Sequence, residues 1–204
     1  MTKAGISVGA TVVASIKGIA FSALMVCAPL MFAQTAEASE GQYLQASSSF
    51  PPPTGARTLC KTYSWACATS PKKRISSAQE LALVQSVNKR VNRTTRSVTD
   101  ESQYRKADIW ALPTARGGDC EDFALLKKRD LIKMGLDPKK LLIATVLDTR
   151  RNSHAVLVYR SGQGDLVLDN LTNSIKPWKA THYLFLRMQD PNRPKNWVGV
   201  SNQS

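Results

Sequence analysis

The sequence predicts an α+β fold in which N-terminal helices pack on an antiparallel sheet. Helical spacing of apolar residues is confined to residues 77–135. Short runs rich in β-branched and aromatic residues follow one another from residue 141 onward. The turns between these runs are too short for crossover helices, so neighbouring strands are expected to be antiparallel. Helices followed by such a sheet define the α+β class.

Two helices are expected before the sheet. The first covers residues 77–92 and begins with a capping-box pattern formed by Ser77 and Glu80. The second covers residues 118–135 and ends at a glycine in the C-terminal cap position. The stretch between them, residues 93–116, is polar, which predicts an irregular connection with one helical turn.

Four strands are expected after the helices, joined by short segments of turn residues that favour hairpins. The four predicted strands are, in order, Leu141–Leu147, His154–Arg160, Leu166–Asp169 and Tyr183–Met188. The helix that follows Asp119 has to pack on this sheet, because the chain offers no other way to bury both apolar surfaces.

Residues 1–38 have the features of an export signal. Lys3 and Lys17 supply positive charge, residues 18–32 are apolar, and Ala36-Glu37-Ala38 is a small-x-small cleavage site. We therefore expect a mature protein that begins at Ser39 and lies in the periplasm or outside the cell.

Two other interpretations of this N-terminal segment, a membrane-spanning helix and a lipoprotein, are disfavoured. The longest apolar run, residues 18–33, has sixteen residues and contains Pro29. A membrane-spanning helix needs roughly 20, so no stable membrane insertion is expected. A lipoprotein attached through Cys27 is the second alternative. It is disfavoured because Val26 stands where a lipid-attachment site has a small residue.

Residues 39–76 are expected to form an extended N-terminal segment ahead of a catalytic domain at residues 77–204. The first part of this segment is rich in Ser and Pro, with the sequence SSSFPPP at residues 47–53. Such a composition predicts a strap across the domain surface and no packed core of its own.

Removal of the export signal changes the number of cysteines in the mature chain. Removing Cys27 leaves three cysteines, and an odd number in an oxidising compartment leaves one thiol unpaired. Cys60 and Cys67 are seven positions apart, which is close enough to close a small disulfide loop. The alternative is that both are free buried thiols. If they are paired, Cys120 is the free thiol.

The sequence GGDCED places Cys120 in the first turn of a helix. Unpaired N–H groups and the helix dipole stabilise a thiolate there. Asp119, Glu121 and Asp122 oppose this, each by about 1 kcal/mol or more at an effective dielectric constant of about 20. A hard divalent cation would offset them, and calcium suits carboxylate oxygens better than a soft metal does. The alternative is that these carboxylates are solvated or paired with basic side chains.

The mature chain would hold two histidines, His154 and His182. His154 begins one predicted strand and Asp169 ends the next, and these two positions are neighbours in an antiparallel hairpin. Cys120, His154 and Asp169 then supply a nucleophile, a base and an orienting carboxylate, in that chain order. His182 has no such partner and is expected on the surface.

Four strings of the sequence resemble the bacterial transglutaminase-like cysteine peptidases, a family related to the LapG-type periplasmic proteases. The strings are GDCEDFALLKKRDLIKMG, LLIATVLD, HAVLVYR and GDLVLDNLTNSIKPW, and the resemblance covers about residues 77–188. The segment between Trp110 and Gly118 is short, and in this respect the sequence resembles a compact branch of the family. The resemblance implies a papain-like core and, in the LapG branch, calcium bound by the acidic residues around the cysteine, which Asp119, Glu121 and Asp122 match.

The resemblance also implies an exported peptidase or amidase that cleaves a protein substrate through a thioester on Cys120. Transglutaminase-type acyl transfer, in which an amine opens the thioester, is one alternative. A catalytically silent binding module with the same fold is another. The chemistry itself requires no cofactor. The backbone N–H of Cys120 is the expected oxyanion donor, and Trp110 or Gln103 is the candidate for a second donor.

The formal net charge is +13, from 28 Lys and Arg against 15 Asp and Glu. This excess favours an acidic envelope or cell-surface protein as partner. Nucleic-acid binding would depend on the basic run at residues 71–74, but a run of this length is usually a solvated surface. We expect no nucleic-acid partner, because an exported protein does not meet cytoplasmic nucleic acid.

Overall fold

An antiparallel sheet forms the centre of the structure, a computed structural model that describes Gly9, residues 42–70 and residues 75–201. The predicted signal segment, apart from Gly9, and the basic run at 71–74 lie outside the described residues. The described strands are β1 Gln45–Ser49, β2 Leu141–Leu147, β3 Ser153–Ser161, β4 Gly164–Leu168, β5 Lys176–Pro177, β6 Leu184–Gln189 and β7 Trp197–Ser201. Their order in the sheet is β1-β7-β6-β2-β3-β4-β5.

Four α-helices accompany the sheet within the described ranges: α1 Leu59–Thr62, α2 Ser77–Thr94, α3 Asp100–Tyr104 and α4 Cys120–Lys133. Apolar residues of α1, α2 and α4 share one core with one face of the sheet, where Val84 and Val87 of α2 and Leu125 and Leu131 of α4 are buried. The α+β prediction is confirmed. In the part of the chain that the structure describes, no helix combines the length and apolar character that crossing a bilayer requires.

The N-cap of α2 lies one residue before the predicted cap. Ser76 is the N-cap, and its backbone N–H donates to the side-chain oxygen of Gln79 at 3.3 Å. The predicted Ser77–Glu80 capping box is wrong because Glu80 faces the sheet. There its carboxylate accepts hydrogen bonds from the Tyr159 hydroxyl at 2.6 Å and from Lys140 Nζ at 2.8 Å.

The end of α4 is as predicted. Gly135 adopts φ +103°, a left-handed conformation that favours glycine. The N–H of Gly135 donates to the Ile132 carbonyl, and the N–H of Leu136 donates to the Leu131 carbonyl, both at 3.0 Å. These two bonds define a Schellman motif, which directs the chain from α4 towards β2.

The structure adds three strands that the sequence did not reveal: β1, β5 and β7. All five residues of β1 are exposed, and its sequence QASSS has little strand propensity. Pairing with β7 makes it a strand. The residues before β1 are tied to the other end of the sheet, where Leu44 N donates to Asp165 Oδ2 at 2.8 Å. Leu44 itself is buried in the core beside the sheet, so this part of the N-terminal segment packs on the domain.

A disulfide joins Cys60 of α1 to Cys67 of the following 3-10 turn, as their spacing predicted. Among the described cysteines, Cys120 is the free thiol. The side chain of Gln189 in β6 donates to the Ala66 carbonyl at 3.2 Å. The disulfide loop is therefore anchored to the sheet.

Candidate active site

The loop before α4 fixes where Cys120 begins the helix. Gly118 N donates to the Arg96 carbonyl at 3.1 Å, and Val98 N donates to the Gly118 carbonyl at 2.9 Å. Gly117 has φ +125°, and a Cβ there would collide with the Arg96 carbonyl oxygen. Glycine is therefore required at Gly117 for the loop to approach residues 96–98.

The Cys120 thiol lies between a carboxylate and a backbone N–H. Its Sγ donates to Glu121 Oε2 at 3.0 Å. Burial raises the pKa of the Cys120 thiol, and the charge and hydrogen bond of Glu121 raise it further. A hydrogen bond from the Ala155 N–H acts in the opposite direction. The thiol is therefore protonated at neutral pH in this arrangement, as the argument from neighbouring carboxylates predicts.

His154 and Asp169 lie side by side, as the strand order predicted. His154 Nε2 is 2.9 Å from Asp169 Oδ1, and both side chains are buried. Asp169 Oδ1 also accepts from Leu171 N at 2.9 Å, and Oδ2 accepts from the Tyr183 hydroxyl at 2.7 Å. Burial alone would raise the pKa of Asp169, but the hydrogen bond to His154 and the other two donors lower it below its usual value. The carboxylate is therefore ionised at neutral pH.

Two residues that the sequence did not single out hold this pair. The Tyr183 ring packs edge-on against the His154 ring, with centroids 6.0 Å apart. Asn92, on α2, donates from Nδ2 to the Asp169 carbonyl at 2.8 Å and to the Thr172 carbonyl at 3.0 Å. Neither residue belongs to a recognisable motif, because tertiary packing alone brings them to Asp169.

His182 lies apart from this group. It is exposed and adopts φ +57° at the end of a 3-10 turn at Trp178–Thr181. Its surface position agrees with the expectation from the sequence.

Carboxylates gather on the other side of Cys120. Ligand oxygens of Asp100, Asp119 and Glu121 lie within 4.8 Å of one another. Asp100 was not predicted in this group; its backbone N–H donates to Asp119 Oδ2 at 3.2 Å. Asp122 is not a member of this group, and its Oδ1 accepts from the Ala111 N–H at 2.9 Å.

The carboxylate cluster is incompletely satisfied. Burial raises the pKa of Glu121 to about 8 and also raises the pKa values of Asp100 and Asp119. Within the described part of the chain, Oδ1 of Asp100 and Oδ1 of Asp119 are buried without a hydrogen-bond partner. Buried carboxylate oxygens without partners are costly unless a cation or a donor reaches them. Hard oxygen ligands of this kind fit a calcium ion.

A cavity of about 650 Å³ joins the two groups, with Cys120 and His154 both in its lining. Asp169 lies behind His154 and is not in the lining. The proline-rich strap forms one wall with Pro51, Pro52, Pro53, Thr54 and Arg57, and strands β2, β3 and β6 form the floor. The arrangement leaves room for an extended peptide beside the thiol.

Neither candidate for a second oxyanion donor is supported. Trp110 lines the cavity, but its indole N–H donates to Asp108 Oδ1 at 2.7 Å. Gln103 is not in the cavity lining, and its side-chain oxygen accepts from the Thr114 hydroxyl at 2.8 Å. The backbone N–H of Cys120 remains the expected donor.

A family model identifies the family of the chain, and solved structures show a more distant similarity. A family model described as bacterial transglutaminase-like cysteine proteinase, BTLCP, matches residues 46–204. Among solved structures, calcium-bound Legionella pneumophila LapG is 23% identical over 66% of this chain and 81% of that chain, with a TM-score of 0.48. EGTA-treated LapG from the same organism is 23% identical over 70% and 84%, also at 0.48. No curated protein sequence matches the chain significantly. The family match extends over most of the sequence, and the chain belongs to the bacterial transglutaminase-like cysteine proteinases.

Proposed function

We propose that the protein is an exported cysteine peptidase that cleaves a protein substrate with Cys120 as nucleophile. His154 acts as general base and Asp169 orients its ring. The observation that carries the proposal is the 2.9 Å contact between His154 Nε2 and Asp169 Oδ1, in a histidine that shares one cavity with the free thiol.

The mechanism depends on which ring nitrogen of His154 already contacts Asp169. Because Nε2 faces Asp169, Nδ1 is the ring nitrogen left to take the thiol proton. The Cys120 thiolate attacks the carbonyl carbon of the scissile amide, and the Cys120 N–H stabilises the developing oxyanion. The C–N bond then breaks as the imidazolium protonates the leaving amine, which leaves a thioester. His154 next activates a water that hydrolyses the thioester and regenerates the thiol.

Asp169 has an electrostatic role in this cycle. It is ionised, since its hydrogen bonds lower its pKa. An ionised carboxylate at Nε2 fixes the tautomer of the neutral ring and stabilises the imidazolium that forms after proton transfer. Tyr183 and Asn92 keep this carboxylate and its backbone in place.

We also propose that Asp100, Asp119 and Glu121 hold a calcium ion. The support is the distance between their oxygens and the buried oxygens that lack partners. A bound calcium supplies positive charge that offsets these carboxylates. Glu121 matters most, because it is the member that contacts the Cys120 sulfur. Asp122 was expected as a ligand from the sequence, but here it supports the loop at Ala111.

Export to the periplasm or the exterior is part of the proposal. The predicted signal segment at residues 1–38 supports it. The disulfide between Cys60 and Cys67 supports it as well, because disulfides persist in oxidising compartments. Without Lys3, Lys17 and Glu37, the mature chain has 26 Lys and Arg against 14 Asp and Glu, and this formal net charge of +12 favours an acidic protein substrate.

The experiment uses the mature protein, beginning at Ser39, and envelope proteins of its own cell. These are incubated with and without calcium, and new N-termini are mapped by mass spectrometry. We expect termini that depend on calcium and are absent with the Cys120→Ala variant. Identical termini with the wild-type and variant proteins would contradict the proposal.

A further inference from the structure

Two polar side chains of the cavity floor have unused hydrogen-bonding atoms. Thr145 of β2 pairs with Arg187 of β6, so the two side chains lie on the same face of the sheet. Both residues line the cavity that holds Cys120. Arg187 Nε and Thr145 Oγ1 are buried and have no hydrogen-bond partner among the described residues.

The strap holds the Arg187 guanidinium in place. The Phe50 ring lies 4.6 Å from the guanidinium carbon, and Nη1 donates to the Pro51 carbonyl at 2.9 Å. Within residues 42–70 and 75–201, no carboxylate forms a salt bridge with Arg187. A guanidinium is planar and presents its N–H groups in a fixed geometry that matches a carboxylate. Arg187 is therefore a preorganised cation that lacks an anion.

The part of the cavity around Arg187 and Thr145 is positively charged, because the acidic residues of the cavity are engaged by other groups. Asp108 is engaged, because its Oδ2 accepts from Gly55 N and its Oδ1 from the Trp110 indole, both at 2.7 Å. Asp119 and Glu121 belong to the carboxylate cluster at the start of α4. Arg57 of the strap wall is exposed, and it too forms no salt bridge with a described residue.

The sheet register gives the distance from this positive half to the thiol. Thr145 lies between Arg187 of β6 and Ala155 of β3, so the three residues form a row across neighbouring strands. The Ala155 N–H faces the Cys120 thiol. Two strand spacings amount to about 10 Å, and an extended peptide covers that length in about three residues.

We propose that Arg187, assisted by Thr145 and Arg57, forms a specificity subsite for an acidic side chain within about three residues of the scissile bond. This proposal rests on the proposed peptidase function and assigns its substrate class. When the two side chains turn towards it, the substrate carboxylate accepts hydrogen bonds from the Arg187 guanidinium and the Thr145 hydroxyl and supplies the missing negative charge. The net positive charge of the mature chain attracts the same class of peptide.

The experiment profiles cleavage of a peptide library prepared from a whole proteome, with calcium present, and identifies the products by mass spectrometry. We expect Asp and Glu to exceed Asn and Gln at one position within about three residues of the cleavage site. Arg187→Gln should remove that excess. Arg93→Gln, which removes one exposed positive charge of α2 outside the cavity, should keep it.

A matched pair of peptides, identical except for Glu or Gln at that position, gives the magnitude. We expect kcat/KM to favour Glu by about ten- to hundredfold, the contribution of one hydrogen-bonded charge. The ratio should fall towards one in Arg187→Gln. Thr145→Val, which keeps the shape of the side chain, should reduce it several-fold and serves as the test if Arg187→Gln does not fold.

The possible failures differ in what they contradict. If the wild-type protein cleaves peptides without an acidic preference, or if the preference persists in both Arg187→Gln and Thr145→Val, the subsite is wrong and the peptidase function stands. If no peptide is cleaved beyond the level of Cys120→Ala, the peptidase function and the subsite are both contradicted.

Discussion

The two sides of Cys120 differ in how far the chain satisfies its own charges. On one side, both oxygens of Asp169 accept hydrogen bonds, one from His154 and one from Tyr183, and its pKa is lowered. On the other side, Asp100, Asp119 and Glu121 crowd together with raised pKa values, and two of their oxygens lack partners. The comparison indicates that the fold itself preorganises the pair formed by His154 and Asp169, whereas the carboxylate cluster keeps buried oxygens that no described residue satisfies.

The largest effect is expected from removing His154, the proposed base, from the preorganised His154–Asp169 pair. His154→Ala should lower kcat/KM for a cleaved peptide by about a thousandfold or more, since base and nucleophile act as a unit. His182→Ala, which changes an exposed histidine, should leave kcat/KM unchanged. Inactivation by His182→Ala with activity retained in His154→Ala would reverse the assignment.

The next largest effect is expected at the carboxylate cluster of Asp100, Asp119 and Glu121. Titration calorimetry of chelator-stripped protein should show one calcium site, weakened about tenfold or more by Asp119→Asn or Glu121→Gln, because each change removes a charged ligand. Glu101→Gln alters an exposed carboxylate of α3 and should not change the affinity. If calcium does not bind at millimolar concentration and chelator leaves activity unchanged, the cluster is structural.

A smaller effect is expected from removing one of the hydrogen bonds to Asp169. Tyr183→Phe removes one donor to Asp169 and should lower kcat several-fold. The donor lowers the pKa of Asp169, so its loss raises that pKa, and the acidic limb of the pH–activity profile should move to higher pH. Tyr43→Phe removes a hydroxyl that donates to the Ser161 carbonyl and should not move the profile. If Tyr183→Phe does not shift the profile, Tyr183 does not position Asp169.

Lys128 of α4 extends the comparison to a buried cation. Burial lowers its pKa to about 7 from 10.5, and its Nζ donates to the neutral side chain of Gln189 at 2.6 Å. Between these pH values the unfolded chain binds more protons, so this residue makes stability rise with pH, by about 1.4 kcal/mol for each unit of pKa difference.

Lys128→Met should therefore raise the free energy of unfolding more at pH 7 than at pH 10, as measured by urea denaturation. Lys133→Met, on the exposed part of the same helix, should give no such pH dependence. Equal effects of Lys128→Met at both pH values would show that Lys128 is charged in the folded protein.

The sequence predicted the parts of this site that depend on local patterns. Periodicity located α4 and β2 to β4, and the order of the strands brought His154 to Asp169. The sequence could not predict that Asp100 joins Asp119, because that contact depends on the hydrogen bonds that join residues 96–98 to Gly118. Nor could it predict β1, whose polar residues become a strand only through pairing with β7. Contacts between distant segments decide both features.

We propose that Cys120 is the nucleophile and that both the His154–Asp169 pair and the carboxylate cluster control its reactivity. Alkylation of the folded, non-reduced protein by iodoacetamide, followed by peptide mapping, tests this most directly. We predict that Cys120 alone among the mature cysteines is labelled, and that labelling slows in His154→Ala and on calcium removal. Labelling of Cys60 or Cys67, a disulfide at Cys120, or a rate indifferent to both His154 and calcium would contradict the claim.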